Sequence, residues 1–368
     1  MTAYKRRHNH LESDIGLDNG SPFFAVIIVN YNAGHYLQKN LDSLARQTFR
    51  NFEVILVDNA SEDGSIDDLI TNDLPNFKLV AETQNHGFAK GNNLAVGHTQ
   101  APWIALLNPD AVAEPDWLAQ LASAIEAHPE VKVFASAQMN MEDPSLMDGA
   151  GDAYLGFGFP WRGGFERPAR ELPAEGLCFS PCGAGAIFET RTFLAHNGFD
   201  EDFFCYCEDV DLGFRMQSAG EPCLFLPKAV ISHKGSAISG RHSAFSTYYG
   251  TRNRIWTYFK NMPTPLLLLT LPVHIMLSAY LVVRHAMLGQ LKASVRGHYH
   301  GFRDGMKLRK KAALTRKARA IPLGELMNTM CWNILRMHKR KPHVRSRNTA
   351  GQNAVGDLLP PIDNANGS

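Results

Sequence analysis

Apolar and polar positions change period several times along this chain, and each change marks an element. Residues 23–29 (Phe-Phe-Ala-Val-Ile-Ile-Val) are an unbroken apolar run closing on Asn30-Tyr31-Asn32. Such a run, without alternation, predicts a strand buried on both faces, as in a parallel sheet. Tyr36, Leu37, Leu41 and Leu44 follow at helical spacing. A second strand is predicted from Glu53 to Val57, ending at Asp58-Asn59. The turn Ser61-Glu62-Asp63-Gly64-Ser65 then predicts a helix around Ile66, Leu69 and Ile70. A third strand (Phe77 to Val80), a helix (Gly91 to Val96) and a fourth strand (Trp103 to Leu107, closing on Asn108-Pro109-Asp110) complete the alternation. Residues 140–181, rich in Gly and Pro, predict a long loop over the site.

Strand alternating with helix, with polar residues at strand C-termini, predicts an α/β fold with an open, mostly parallel sheet flanked by helices. Ligands of such sheets bind outside the carboxyl ends of the strands.

The C-terminal third reads differently. Pro263 to Val283 is mostly apolar over 21 residues, roughly 32 Å if helical and long enough to cross a bilayer. Pro265, Pro272 and His274 interrupt it, and one crossing would export its more basic flank, against the positive-inside rule. A kinked re-entrant or interfacial segment is expected instead. Behind it Leu288, Leu291, Val295, Tyr299, Phe302 and Met306 recur every three or four residues, with Lys292, Arg296, Arg303, Lys307, Arg309, Lys310 and Lys311 supplying charge. That pattern predicts a basic amphipathic helix on an anionic membrane surface; the competing reading packs the helix on its own catalytic domain.

Composition sharpens this division. The 368 residues carry a net charge of only +1, but residues 284–368 hold 17 Lys+Arg against 4 Asp+Glu, leaving 20 basic and 32 acidic groups before them. An acidic body with a basic tail implies an anionic partner for the tail. No nucleic-acid module is present, so a nucleic-acid partner is not expected. The first 20 residues are polar with no apolar run behind Lys5-Arg6-Arg7, so no signal peptide is expected. The cysteines at 178, 182, 205, 207, 223 and 331 lack paired zinc-ligand spacing and read as reduced buried thiols in a cytoplasmic protein.

Several stations carry chemistry. Asp58, closing a strand, can accept a hydrogen bond from a ring N–H of uracil or thymine, or simply form a turn. Asn85-His86-Gly87-Phe88-Ala89-Lys90-Gly91-Asn92-Asn93 runs a glycine-interrupted loop into a helix and suits close backbone approach to an anion. Neither an ATP-binding loop nor a dinucleotide fingerprint is present. Asp110 places a carboxylate at the sheet edge, as Mg²⁺ requires, and Mn²⁺ would also accept the imidazole of His233; a lone His after a strand is otherwise structural. Glu208 and Asp209 follow an aromatic-rich segment, where one carboxylate can have the raised pKa of a general base. Asp211 reads as the N-cap of a helix over Leu212–Ala219.

Seven segments occur in order: Val29-Asn30-Tyr31-Asn32, Val57-Asp58-Asn59-Ala60-Ser61, Gly87-Phe88-Ala89-Lys90-Gly91-Asn92-Asn93, Leu107-Asn108-Pro109-Asp110, Gly183-Ala184-Gly185, Asn197-Gly198-Phe199-Asp200 and Cys207-Glu208-Asp209-Val210-Asp211-Leu212. Together they resemble family 2 glycosyltransferases, above all the bacterial rhamnosyltransferase branch that builds polysaccharides on lipid carriers. The resemblance covers roughly residues 23–260.

It implies a GT-A fold and inverting transfer of a sugar, L-rhamnose from dTDP-rhamnose or alternatively a hexose from a UDP-sugar, to a polyprenyl-diphosphate-linked acceptor. Carried over residue by residue, Asp209, with Glu208, would supply the base. Asn30, Asn32, Asp58, Asn59, Asn85, Gly87, Phe88, Lys90, Asn92 and Asn108 would bind the donor. Asp110 and His233 would hold Mg²⁺ or Mn²⁺, and Gly183, Ala184 and Gly185 would meet the acceptor. Asn-Pro-Asp stands here where other members have Asp-x-Asp. The implied location is the cytoplasmic face of the bacterial inner membrane. The implied division is a disordered N-terminus (1–21), a catalytic domain (22–260), a membrane-associated helical region (261–340) and a disordered tail (341–368). A processive synthase is disfavoured by the absence of Gln-x-x-Arg-Trp and of an array of spans. A catalytically inactive membrane adaptor with the same fold is the reading from another class, and the intact acidic pair and Asp110 speak against it.

Overall fold

A computed structural model describes residues 21–235, 243–317 and 319–347; the segments 1–20 and 348–368, expected to be disordered, lie outside the described residues. The first apolar run forms β1 (Phe24–Asn30), buried throughout, and it lies parallel to β2 (Phe52–Asp58) and to β4 (Trp103–Leu106). β3 (Phe77–Ala81) extends the parallel set on the far side of β2. Beyond β4 the sheet turns mixed. β11 (Ala186–Glu189) runs antiparallel to β4 and to β6 (Val133–Asn140), β12 (Cys223–His233) is parallel to β6, and β10 (Gly176–Cys178) forms the edge. The order is β10-β12-β6-β11-β4-β1-β2-β3. Short β5 (Ala111–Ala113) and β7 (Met147–Ala150) attach to β12 and β6.

Both faces are covered. Leu37, Leu41 and Leu44 of α1 (His35–Ala45) and Trp117, Leu118 and Leu121 of α3 (Trp117–Ala127) bury one face. α2 (Gly87–Val96), α4 (Thr190–Ala195) and α5 (Glu208–Ala219) cover the other through Ala89, Ala95, Phe193, Leu212 and Met216. The continuous apolar runs are therefore explained by burial on two sides.

Three local expectations are corrected. Residues 61–70 form turns rather than a helix, because Asn32, Ser61, Asp63 and Ser65 spend their hydrogen bonds on one another's loops. The segment 140–181 is built, not free: it contains β7, the hairpin β8 (Asp152–Leu155) with β9 (Phe159–Arg162), and β10. Asp211 is not an N-cap. The helix begins at Glu208, and Asp211 lies fully buried in its first turn, bound by Arg215, Lys260 and Asn261 at 3.0, 2.8 and 2.7 Å.

Three long helices follow: α6 (Ala244–Asn261), α7 (Thr264–Met287) and α8 (Leu291–Lys311). The apolar segment is one continuous helix with Pro272 inside it. Pro265 sits in its first turn, where no intrahelical N–H is needed, and Pro272 lies on its exposed side. The faces of α7 and α8 are inverted relative to a water-soluble helix. Thr270, His274 and Ser278 of α7 face the protein, while Leu268, Leu269, Ile275, Met276, Tyr280 and Val283 are more than half exposed. α8 packs on α6 through a stripe of glycines: a Cβ on Gly297 would lie 2.9 Å from the Tyr248 carbonyl, and one on Gly301 2.8 Å from Ile255. Its apolar row (Leu288, Leu291, Val295, Tyr299, Met306) points away from the protein. The helix thus packs on its own domain, through its glycines and through Phe302, which meets Phe259 and His274, while the rest of the predicted row faces outward.

The chain ends in α9 (Ala313–Lys317), α10 (Leu323–Thr329) and α11 (Ile334–His338). Residues 341–347, assigned from the sequence to a disordered tail, are held to the sheet edge: Arg345 and Leu177 exchange both backbone hydrogen bonds. That pairing satisfies the otherwise open edge of β10.

Candidate active site

The carboxyl ends of β1, β2 and β4 open into a cavity of about 430 Å³ whose far wall is the start of α5 and the hairpin β8–β9. Its metal-side corner is built by register. β12 runs antiparallel to β5 with His233 opposite Ala111, which sets the ring beside Asp110. Asn40, buried on α1, donates to the carbonyls of Asn108 and Ala111 and fixes the Asn-Pro-Asp turn between them. His233 Nε2 lies 3.2 Å from Asp110 Oδ1, and Nδ1 lies 2.7 Å from Asp148 Oδ2. Arg162 continues the line, donating to Asp148 at 2.5 Å. Burial alone would lower the His233 pKa, but Asp110 and Asp148 together lift it to about 9. Burial likewise opposes, and Arg162 and His233 outweigh it, holding Asp148 below its usual range.

This corner fits a divalent cation. His233 has its Nδ1 committed to a carboxylate and its Nε2 aimed at Asp110, the arrangement by which an imidazole ligand is oriented. The buried Asn108 side-chain oxygen adjacent has no hydrogen-bond partner among the described residues. One carboxylate, one imidazole and an amide oxygen suit Mn²⁺, and the oxygens alone suit Mg²⁺.

The second corner carries the acidic pair. Gly183 N–H donates to Asp209 Oδ2 at 2.9 Å and Val210 N–H to Oδ1 at 2.8 Å. Burial raises the Asp209 pKa against those two bonds. Glu208 is pushed up further, by burial first and by Asp209 second, and its Oε2 has no partner. Asp152, which the sequence did not single out, joins them: its carboxylate, the Cys182 thiol and Asp209 converge within 4.8 Å. Burial and the neighbouring Asp209 push Asp152 well above the carboxylate range. Two carboxyl groups this close titrate in coupled steps.

The loop in front of the pair is strained and clamped. Phe204, Tyr206 and Cys207 all have positive φ (67°, 69° and 65°), costing of order 1–3 kcal/mol each. Asn253 of α6, fully buried, donates to the carbonyls of Phe203, Cys205 and Tyr206 at 2.9, 2.7 and 2.8 Å. The loop in turn presses on the glycine-interrupted segment, since a Cβ on Gly87 (φ 77°) would fall 2.5 Å from the Phe204 carbonyl. No residue but glycine fits there.

Of the residues chosen from the sequence, Asn59, Asn85, Gly87, Phe88, Asn108, Asp110, Gly183, Ala184, Glu208, Asp209 and His233 line the cavity. Asn30, Asn32, Asp58, Lys90, Asn92 and Gly185 do not line it directly. Asp58 accepts from Asn30, from the Ser61 hydroxyl and from the Ser61 N–H, and so makes the turn bonds of the plainer reading. Asn92 donates to the Phe88 carbonyl within its own helix. Missed were Asp148, Asp152 and Arg162, which line or back the cavity from a segment whose Gly-rich composition masked its short strands. All six cysteines are free.

A sheet of this order with its cavity at the carboxyl ends is the GT-A glycosyltransferase architecture. The same fold is seen in the structure of GalNAc-T7 with UDP, GalNAc and Mn²⁺, which superposes with a TM-score of 0.52 at 16% identity over 66% of this chain and 48% of that one. Residues 25–190 match the family described as glycosyl transferase family 2, and the chain is similar to rhamnosyltransferases. An N-acetylglucosaminyl-diphospho-decaprenol L-rhamnosyltransferase of Mycobacterium tuberculosis is 29% identical over 245 residues, covering 60% of this chain and 78% of that protein. A PGL/p-HBAD biosynthesis glycosyltransferase of Mycobacterium bovis is 32% identical over a shorter stretch of 111 residues, 29% of this chain and 43% of that protein.

Proposed function

We propose that this protein transfers L-rhamnose from dTDP-rhamnose, with inversion, to a saccharide carried on a polyprenyl diphosphate, working against the cytoplasmic face of a bacterial inner membrane. The observation that carries the reading is the cavity itself. Asp110 and His233, read as the cation corner, and Asp209, read as the base, line one cavity together with Asn59, Asn85, Gly87 and Phe88. Likeness to a rhamnosyltransferase named for a decaprenol-diphosphate acceptor supports the choice of donor and acceptor.

In this reading the acceptor hydroxyl gives its proton to Asp209 as its oxygen attacks the anomeric carbon, and the bond from that carbon to the nucleotide diphosphate breaks. The Gly183 and Val210 N–H groups each bond one oxygen of Asp209 and hold it in place, and each oxygen keeps a further lone pair for the proton. A bound Mg²⁺ or Mn²⁺ supplies positive charge for the leaving diphosphate. Asp110 and His233 would hold it, with Asp148 keeping His233 in the ligating tautomer. Asn30, Asn32, Asp58, Lys90 and Asn92 act on the donor mostly through the loops they shape, and Gly183, Ala184 and Gly185 form the floor under the acceptor. The catalytic domain spans residues 22–260, and the helices after it form the membrane-associated region.

The membrane reading is supported by the outward apolar rows of α7 and α8, flanked by Lys292, Arg296, Arg303 and Lys307. Burying one such side chain fully is worth roughly 1.5–3 kcal/mol, and each well-placed cation adds about 1 kcal/mol at an anionic surface. Because the polar stripe of α7 is packed on the protein, the helix lies along the membrane rather than crossing it. Incubating the purified protein with dTDP-rhamnose and UDP-hexoses, with and without a short-chain polyprenyl-diphosphate saccharide, tests the function. Acceptor-dependent release of dTDP is the expected result. UDP release alone would move the donor to the hexose alternative, and no turnover of any donor would favour the inactive adaptor.

A further inference from the structure

Two arginines flank the Tyr248 ring, Arg252 at 5.6 Å and Arg296 at 5.1 Å from its centre, without acidic partners among the described residues. The Arg252 guanidinium lies 3.9 Å from the Trp256 ring centre and 4.7 Å from that of Tyr249. Arg296 of α8 lies 5.1 Å from Tyr248. Among the described residues no carboxylate comes within 4.0 Å of either, whereas neighbouring Asp202 pairs with Lys311 and Asp304 with Arg303 and Lys307. Arg252 spends Nε on Asn253 and Nη2 on the carbonyls of Asp202 and Phe203, while its Nη1 makes no hydrogen bond to the described residues. The local potential is positive: burial, Arg303 and Arg296 hold His300 below its usual range, with Arg252 adding to them.

The position of this cluster matters as much as its charge. Tyr249 stacks on Phe204 at 5.4 Å, and Phe204 lines the cavity. Gly250 also lines it, and a Cβ there would meet nothing within 4 Å among the described residues. On its other side Arg296 sits between Val295, 49% exposed, and the outward Tyr299. The arginines therefore link Gly250 of the cavity lining, two residues before Arg252, to the apolar face of α8 that carries Arg296. Guanidinium groups stacked on aromatic rings keep their edges free for phosphate oxygens, which they bind bidentately.

We propose that Arg252 and Arg296 form a diphosphate site that receives the linker of the lipid-borne acceptor, placing its sugar in the cavity and its chain on the apolar face of α8. This rests on the acceptor class proposed above. Inorganic pyrophosphate without divalent cations is the first probe, measured by calorimetry on the full chain in detergent. Arg296→Gln should weaken its binding at least tenfold, whereas Asp110→Ala should leave it unchanged; the reverse pattern, or no binding to the unaltered protein, overturns the site. The second arm compares a short-chain prenyl-diphosphate saccharide with the same saccharide on a neutral alkyl group. Arg296→Gln should raise KM at least tenfold for the first and leave KM for the second and kcat for both unchanged. Arg252→Lys, which keeps the charge, should show a smaller rise than Arg296→Gln. Equal effects on both acceptors overturn the proposal, as does weaker binding to anionic vesicles with no change in KM, which would assign the arginines to bilayer phospholipid. Should pyrophosphate bind as expected while no lipid-linked saccharide is ever glycosylated, the acceptor class is wrong, and the assignment of this anion site to the acceptor falls with it.

Discussion

His233 and Asp148 are joined by a 2.7 Å hydrogen bond although they lie 85 residues apart, and this bond leaves the other imidazole nitrogen facing Asp110. A histidine so held is oriented as a ligand rather than as a core residue. Asp110→Ala should abolish the gain in nucleotide-diphosphate affinity that Mn²⁺ confers, and His233→Ala should reduce it. Asp148→Asn, which touches no ligand, should still weaken apparent Mn²⁺ affinity by about tenfold or more. Titrating Mn²⁺ against dTDP binding checks all three. Wild-type metal dependence in the Asp110 variant would remove the cation from this corner.

The base can be separated from its neighbour by isosteric amides. Asp209→Asn should lower kcat by roughly 10²–10⁴-fold with donor affinity little altered. Burial and Asp209 push the Glu208 pKa up, which favours its neutral form, and Glu208→Gln should cost less than tenfold. Single-turnover rates with saturating donor decide between them. The opposite ranking would transfer the role to Glu208.

Asn253 provides a test of the strained loop. Replacing it with Ala leaves three buried carbonyls without their donor, a loss of about 1–3 kcal/mol for an unsatisfied group. The acidic pair follows this loop directly, so kcat should fall much more than donor affinity. A variant that unfolds early but, when folded, turns over normally would make Asn253 purely structural.

Stability should fall in mild acid because of the helices. Burial and the nearby Arg254 hold His274 at about 3 and His298 at about 4, below the unfolded value of about 6.5. The unfolded chain therefore binds more protons between those values and 6.5, so this contribution is complete above pH 6.5 and is lost as pH falls toward 4. His274→Gln should flatten the fall in melting temperature across that window relative to the unaltered protein. An identical slope would place the acid sensitivity elsewhere.

Outward apolar rows make the last prediction specific. Val295→Gln with Tyr299→Gln should reduce binding to liposomes while leaving donor affinity intact, because neither side chain packs on the protein. High salt should weaken the remaining electrostatic part on anionic vesicles. Unchanged liposome binding would assign these rows to another partner.

What the sequence determined by itself was the alternation of elements and the polar stations at strand ends. Short continuous apolar runs such as residues 23–29, bounded by turn residues, read as strands buried on both faces, and that reading sets Asn30, Asp58 and Asn108 at one edge of the sheet. The seven ordered segments were enough for the family. Tertiary structure alone decided which stations share a cavity, because Asp148, Arg162 and His233 meet through strand pairings far apart in sequence. It also decided the faces of α7 and α8. Periodicity shows that a helix has an apolar stripe but not which stripe faces the protein, and here the glycines of α8 and the polar residues of α7 take the inner side. Asp211 shows the same limit: its place at a helix start read as a cap, and only the approach of Lys260 and Asn261 from α6 makes it a buried anchor.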